Sequence, residues 1–209
     1  MSNPGYLLVL AHSINPEKMV DYSKALPSVY DKYGGKYIGM GGPGRGADLL
    51  EGDWLDHSLV LARFSSVDAV KQFWYSPEYE SIKPLRKEGG QFNVFCLAGN
   101  GNKVPAGSPA FLISIYRVSN SSAFKELSEM EAETLLASGV EILREAGGED
   151  VDRLEGQLMN YDFSIAVFPS LTAAQDFWDD PSFARIREKR SQFAKFNVFS
   201  MLGLPNEGY

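Results

Sequence analysis

The chain is written twice. Glu51-Gly52 recurs as Glu155-Gly156, and the same gap-free spacing of 104 residues carries Phe64 to Phe168, Phe73-Trp74 to Phe177-Trp178, Pro77 to Pro181 and Arg86 to Arg190. The run Phe92-Asn93-Val94-Phe95 returns as Phe196-Asn197-Val198-Phe199. Two copies of this length are too few and too long for a stacked solenoid, so the repeat unit is itself a small domain. Between the copies lies Gly99 to Pro109, rich in Gly, Asn and Pro and without periodicity, which reads as a linker. The expected organisation is repeat one over 1–99, a linker over 100–109 and repeat two over 110–209.

Each copy reads as strand, helix, strand, strand, helix, strand. In the first, Tyr6 to His12 is a short apolar run suited to a buried strand. Asn15-Pro16-Glu17 supplies an N-cap, a proline at the first helical position and an early acid. Met19, Tyr22, Leu26, Val29 and Tyr33 then fall on one helical face; Pro27 is expected to kink the helix and Gly34-Gly35 to end it. Lys36 to Met40, His57 to Phe64 and Phe92 to Leu97 complete the strands. Ser66 opens the second helix, which Pro77 interrupts. Copy two repeats this order, with strands at Phe111 to Tyr116, Val140 to Leu143, Tyr161 to Phe168 and Phe196 to Met201. A βαββαβ unit is an α+β, ferredoxin-like sheet of four antiparallel strands with both helices on one face. Its bare face needs cover, and the second copy is the obvious one. The expected fold is therefore an intramolecular pseudo-dimeric α/β barrel.

The charge balance bounds the partners. Twenty Lys and Arg against 27 Asp and Glu leave a net charge of −7, which argues against nucleic acid. No apolar run approaches the ~18 residues of a membrane span, and the opening residues lack a secretory signal. One cysteine, Cys96, excludes an internal disulfide and multi-thiolate zinc, and reads as a buried structural thiol. These features predict a cytoplasmic protein with a small organic partner, no cofactor and no metal. Further homo-oligomerisation is optional.

Gly34-Gly35, the glycine turn at Gly41-Gly42, Leu50-Glu51-Gly52, Phe64-Ser65-Ser66-Val67-Asp68-Ala69, and Ser76-Pro77-Glu78-Tyr79 followed by Arg86 resemble the domain-of-unknown-function 1330 family. The resemblance covers 6–99 well and 110–203 more loosely. Copy two keeps Leu154-Glu155-Gly156 and Arg190 but has Asp180-Pro181-Ser182-Phe183, and Ser138-Gly139 in place of the paired glycines. The resemblance implies the ferredoxin-like fold of the dimeric α/β-barrel superfamily. That superfamily spans cofactor-free monooxygenases, isomerases, cyclases, haem-degrading enzymes and stress-related binders. It also implies that copy two has drifted from whatever copy one does.

The two histidines, His12 and His57, end the first strand and begin the third, so antiparallel pairing brings them together. Histidine suits proton transfer near neutral pH, which nominates His57 as general acid or base and His12 as its orienter. The bland reading is two strand-end residues without a role. At a spacing of 104 their counterparts are Tyr116 and Tyr161, suited to positioning a ligand. Two imidazoles with Glu51 or Asp56 would imitate a two-His-one-carboxylate metal site, but no close-spaced His motif supports it. Arg86 and Arg190 either hold an anionic substrate oxygen or form structural salt bridges to Glu51 and Glu155; recurrence of both residue types favours the latter. Arg63 shares strand parity with His57. Trp74 and Tyr79 are candidate pocket walls within a mostly structural aromatic set. The loop Gly41 to Gly46 lacks a P-loop pattern and reads as a flap or a hairpin turn.

The function expected from these residues is cofactor-independent acid–base chemistry on a small, partly hydrophobic molecule: isomerisation, cyclisation, lyase-type proton transfer or cofactor-free oxygenation. The alternatives are a non-catalytic or stress-related binder, and a haem- or metal-dependent enzyme on the same fold.

Overall fold

The computed structural model describes residues 3–144 and 151–208. Repeat one runs β1 (Gly5–His12), α1 (Pro16–Lys32), β2 (Lys36–Gly41), β3 (Ala47–Glu51), β4 (Ser58–Phe64), α2 (Val67–Trp74), α3 (Pro77–Ile82), a 3-10 turn Lys83–Arg86, and β5 (Gln91–Ala98). Repeat two runs β6 (Ala110–Val118), α4 (Ser121–Ala137), β7 (Glu141–Arg144), β8 (Val151–Glu155), β9 (Asp162–Phe168), α5 (Leu171–Asp179), α6 (Pro181–Arg190) and β10 (Ala194–Leu202). The result is an α+β fold of two antiparallel five-stranded sheets and six helices among the described residues.

The capping residues behave as their chemistry requires. Asn15 accepts from the Glu17 amide, Ser66 from Ala69, Ser76 from Tyr79 and Ser170 from Ala173, each satisfying a donor that the first helical turn leaves open. Pro27 does not end α1, which runs through it. Ser23 and Pro27 lie on the exposed side, where water can take the carbonyl that proline leaves unbonded.

Sheet composition departs from the sequence expectation. The first sheet has the order β2-β4-β1-β5-β8 and the second β3-β10-β6-β9-β7, so each carries a fifth strand supplied by the other repeat. Neither β3 nor β8 was expected. Each is five residues long, lies at a sheet edge and mixes polar with half-buried positions, so neither shows an alternating pattern. Their pairing partners lie more than fifty residues away in the chain, beyond any local signal. The glycine-rich stretch after β2 is a turn, with the Arg45 amide donating to the Gly42 carbonyl at 2.8 Å, and it redirects the chain into the other sheet.

Strand parity sorts the side chains. Tyr6, Leu8, Leu10, Leu59 and Leu61 from one sheet pack with Phe111, Ile113, Ile115, Phe163 and Ile165 from the other in one shared core. The opposite sheet faces pack under the helices, as separate clusters beneath α1–α3 and α4–α6. Gly39 bridges to Gly203, and the Leu204 amide donates to the Ile38 carbonyl at 2.9 Å, so the sheets also meet at an edge.

Candidate functional site

Pairing registers define which residues of the two repeats correspond. Ala11 faces Ser58 across β1 and β4, and Tyr116 faces Asp162 across β6 and β9. Tyr116 is therefore the counterpart of Ala11, and Arg117, not Tyr116, stands where His12 stands. The spacing between repeats is 105 residues from β1/β6 through β2/β7 and returns to 104 at β3/β8, which is why a single offset misassigns the pair. The same shift makes Gly139, at φ +70°, the counterpart of Gly34 at φ +68°, so the left-handed helix stop is kept in copy two.

His12 and His57 do meet, with ring centroids 4.9 Å apart. Trp54 stacks on His57 at 4.8 Å and reaches Tyr161 at 5.5 Å, and the Arg117 guanidinium lies 4.4 Å over the Tyr161 ring. Asp56 approaches His57 Nδ1 at 3.3 Å and His12 Nδ1 at 4.0 Å. Burial, and then the neighbouring His12, push the His57 pKa below its ordinary value, so the ring is neutral at pH 7. This cluster lies on the parity of the shared core, at its end, where Trp54 and Tyr161 pack against the core. Arg63 lies at the far end of β4, opposite Tyr6. Among the described residues, no group of three or more His, Cys, Asp and Glu is arranged to hold a metal.

The arginines are bound across the repeats. Arg86 holds Glu155 through both carboxylate oxygens, at 2.9 and 2.7 Å, and Arg190 holds Glu51 at 2.7 Å. The structural reading of Arg86 and Arg190 thus acquires crossed partners. Asn197 Oδ1 accepts from the Asp53 and Trp54 amides at 3.0 and 3.3 Å, and Asn93 Oδ1 accepts from Gln157 and Leu158 at 2.9 and 3.0 Å. Gly52 and Gly156 sit at φ +104° and +95°, where a Cβ would collide with those same asparagines. The repeated Glu-Gly and Phe-Asn-Val-Phe signatures are the two halves of this exchange.

Trp74 and Tyr79 are each 2% exposed. They pack at 4.8 Å beside Phe73, Tyr30 and Tyr22 and fill the space between the repeat-one helices and their sheet. The same space in repeat two is a cavity of about 580 Å³ between α4 and the sheet. Tyr116, Asp162, Ser164 and Phe196 form its floor, and Phe124, Ser128, Glu131 and Leu135 its roof. Acidic, polar or smaller residues stand there: register sets Asp162 against Ser58 and Ser164 against Val60 of repeat one, and helix position sets Glu131 against Leu26 and Leu135 against Tyr30.

Tyr116 is 2% exposed, and no described residue bonds its hydroxyl. Burial, followed by the charges of Asp162 and Glu131, raises its pKa and keeps it a donor. Burial also raises the Asp162 carboxyl above its ordinary value, against the pull of Arg144. Tyr116 was expected as a ligand residue, and it lines the cavity. Asp162, Ser164 and Glu131 were not expected. Ser164 was within reach, as a polar departure from Val60 at the 104-residue spacing, and Asp162 as an acid in place of Ser58.

The fold has close relatives in shape but not in sequence. A protein from Fusobacterium nucleatum with a provisional monooxygenase assignment is 12% identical, with 99% of this chain and 96% of that one covered and a TM-score of 0.55. An anthrone oxidase-like protein is 14% identical, with 100% and 93% covered and a TM-score of 0.54. The chlorite dismutase of Candidatus Nitrospira defluvii, solved with imidazole, is 10% identical, with 96% and 91% covered and a TM-score of 0.50. At such identities the likeness concerns the fold alone. No curated protein matches the sequence. The model of the domain of unknown function DUF1330 matches twice, over residues 4–100 and 109–204, and the chain therefore belongs to that family as a tandem duplication of its domain.

Proposed function

We propose that the protein is a small-molecule enzyme that performs acid–base chemistry in the repeat-two cavity, with Asp162 as the proton-transferring carboxyl and Tyr116 as the hydrogen-bond donor. The observation that carries this reading is the pairing itself. Tyr116 and Asp162 are direct cross-strand partners, so both project from one sheet face into a cavity large enough for a metabolite-sized ligand. A buried hydroxyl without a partner is costly to maintain, and a ligand oxygen would satisfy it.

A carboxyl raised toward the working pH is a better base and a better returning acid than an ordinary aspartate. Asp162 takes a proton from an acidic C–H or O–H, while the Tyr116 O–H stabilises the oxygen on which charge gathers. Return of that proton at a second position completes an isomerisation, cyclisation or elimination with no electron carrier. The apolar walls, Phe124, Leu135, Ile142 and Phe196, strengthen both interactions by excluding water. This reading moves the proton-transfer role from His57 to Asp162, because the His12–His57 pair lies on the other face of the sheet. In the same reading the shared core, the exchanged strands and the Gly39–Gly203 bridge make the two sheets a pseudo-dimeric barrel.

The test is proton exchange. A panel of small ketones, enones and phenols is incubated with the protein in D2O, and deuterium incorporation is followed by NMR. Exchange should be lost in Asp162→Asn and retained in His57→Ala. Exchange that survives Asp162→Asn and vanishes in His57→Ala would return the chemistry to the histidine pair.

A further inference from the structure

Resting on the cavity as the reaction site, we propose that it selects a small, partly apolar organic amine, whose ammonium head sits against Glu131 while Asp162 and Tyr116 carry out the proton transfer. The argument starts from a difference between two otherwise matching ion pairs. Among the described residues, Arg86 in repeat one has a single carboxylate partner, Glu155. Arg190 in repeat two has two: its Nη2 donates to Glu51 and its Nη1 to Glu131.

Two carboxylates on one guanidinium leave a negative charge uncompensated. The structural task, tying a swapped strand to the opposite repeat, needs only Glu51, as Arg86 shows with Glu155. Glu131 is the surplus acid. It stands on α4 where the equivalent position of α1 holds Leu26, and it lies in the cavity wall.

The other charges of the lining do not cancel it. Lys125 pairs with Glu129 at 3.9 Å, and Arg144, whose guanidinium donates to the Ala98 carbonyl at 2.8 Å, acts on Asp162. Among the described residues the excess is therefore one negative charge, held in place by a buried arginine, in a cavity with apolar walls. A ligand cation supplies the missing counter-charge through a charge-assisted hydrogen bond beside apolar walls. The independent sign that a ligand belongs here is the Tyr116 hydroxyl, buried and unbonded among the described residues. The chain's net charge of −7 also attracts cations over anions during encounter.

Three probes of one skeleton separate charge from shape: 2-phenylethylamine, 2-phenylethanol and phenylacetate, each titrated calorimetrically into the full chain at pH 7. The amine should bind at least tenfold tighter than the alcohol, with the carboxylate weakest. Glu131→Gln should bring the amine down to the alcohol and leave alcohol binding unchanged, which also shows that the variant is folded; Glu131→Asp should keep the preference. Binding of the alcohol or the carboxylate as tight as the amine, or an undiminished amine preference in Glu131→Gln, would overturn the inference and leave the cavity a ligand site. Absence of binding by all three would overturn it too, and the proton-transfer reading would then rest on the Asp162 exchange experiment alone.

Discussion

Arg86 of the first repeat grips Glu155 of the second through two parallel hydrogen bonds, and its mirror Arg190 reaches back to Glu51. Each repeat thus holds the other's fifth strand by a buried guanidinium. Both guanidinium groups also stack on aromatic rings, Arg86 over Phe92 at 4.2 Å and Arg190 over Phe196 at 3.8 Å. A double-mutant cycle in urea tests the crossing. Arg86→Met and Glu155→Gln should couple by about 2–3 kcal/mol, as expected for a charge-assisted bidentate pair, whereas Arg86→Met and Glu51→Gln should be additive. Coupling to Glu51 instead would place the pair within one repeat.

Asn197 accepts two amides from the loop that follows β3, and it is 2% exposed. Asn197→Ala leaves both donors without their acceptor and should cost about 1–3 kcal/mol, read as a shifted urea midpoint. Gly52→Ala should be worse: the backbone is left-handed there, and the new methyl meets the asparagine oxygen. A Gly52→Ala protein as stable as wild type would contradict the packing.

Asp162 should trade stability for function. Its folded-state pKa is raised, so between the unfolded value and the folded one the native state binds more protons than the unfolded chain. Stability therefore falls as pH rises through that window. Asp162→Asn should remove that loss, raising the Tm at pH 7 by roughly 2–4 °C per kcal/mol recovered while abolishing turnover. A lower Tm with activity intact would argue for an ordinary structural aspartate.

His57 carries the opposite dependence. Its folded pKa is depressed, so its contribution is whole above the unfolded value near 6.5 and is lost as pH falls through the folded value. His57→Gln should flatten that acid limb. Trp54 is stacked on the ring and reports the titration, because imidazolium quenches indole emission. An acid titration of the fluorescence that is the same in wild type and His57→Gln would contradict the stack.

Cys96 is buried with its pKa pushed up to about 12, so thiol reagents should leave the native chain unmodified and react once it unfolds. Rapid labelling of the native protein would place the thiol at the surface.

Much of this architecture was legible because duplication repeats its own signals. The strand and helix order, the caps at Asn15 and Ser66, and the meeting of His12 with His57 follow from local chemistry and antiparallel geometry. The exchanged strands were not legible: Ala47–Glu51 and Val151–Glu155 are short edge segments whose partners belong to the other repeat. The candidate site was only half legible. Tyr116 attracted notice through a counterpart that the register corrects, since one residue of slippage sets Arg117 opposite His12. Glu131 was hidden by the same slippage, because at a spacing of 104 residues Leu26 aligns with Met130. Trp74 and Tyr79 show the converse: aromatic residues that could line a pocket instead fill the volume that stays open in repeat two.

The central claim, that the repeat-two cavity is the working site, is tested most directly by mapping fragment binding on the amide NMR spectrum of the full chain. The account predicts shifts concentrated at Tyr116, Asp162 and Ser164 and along α4, with the equivalent positions Ala11, Ser58 and Val60 silent. Shifts gathered instead around His12, Trp54 and His57, with the α4 cavity unmoved, would contradict it.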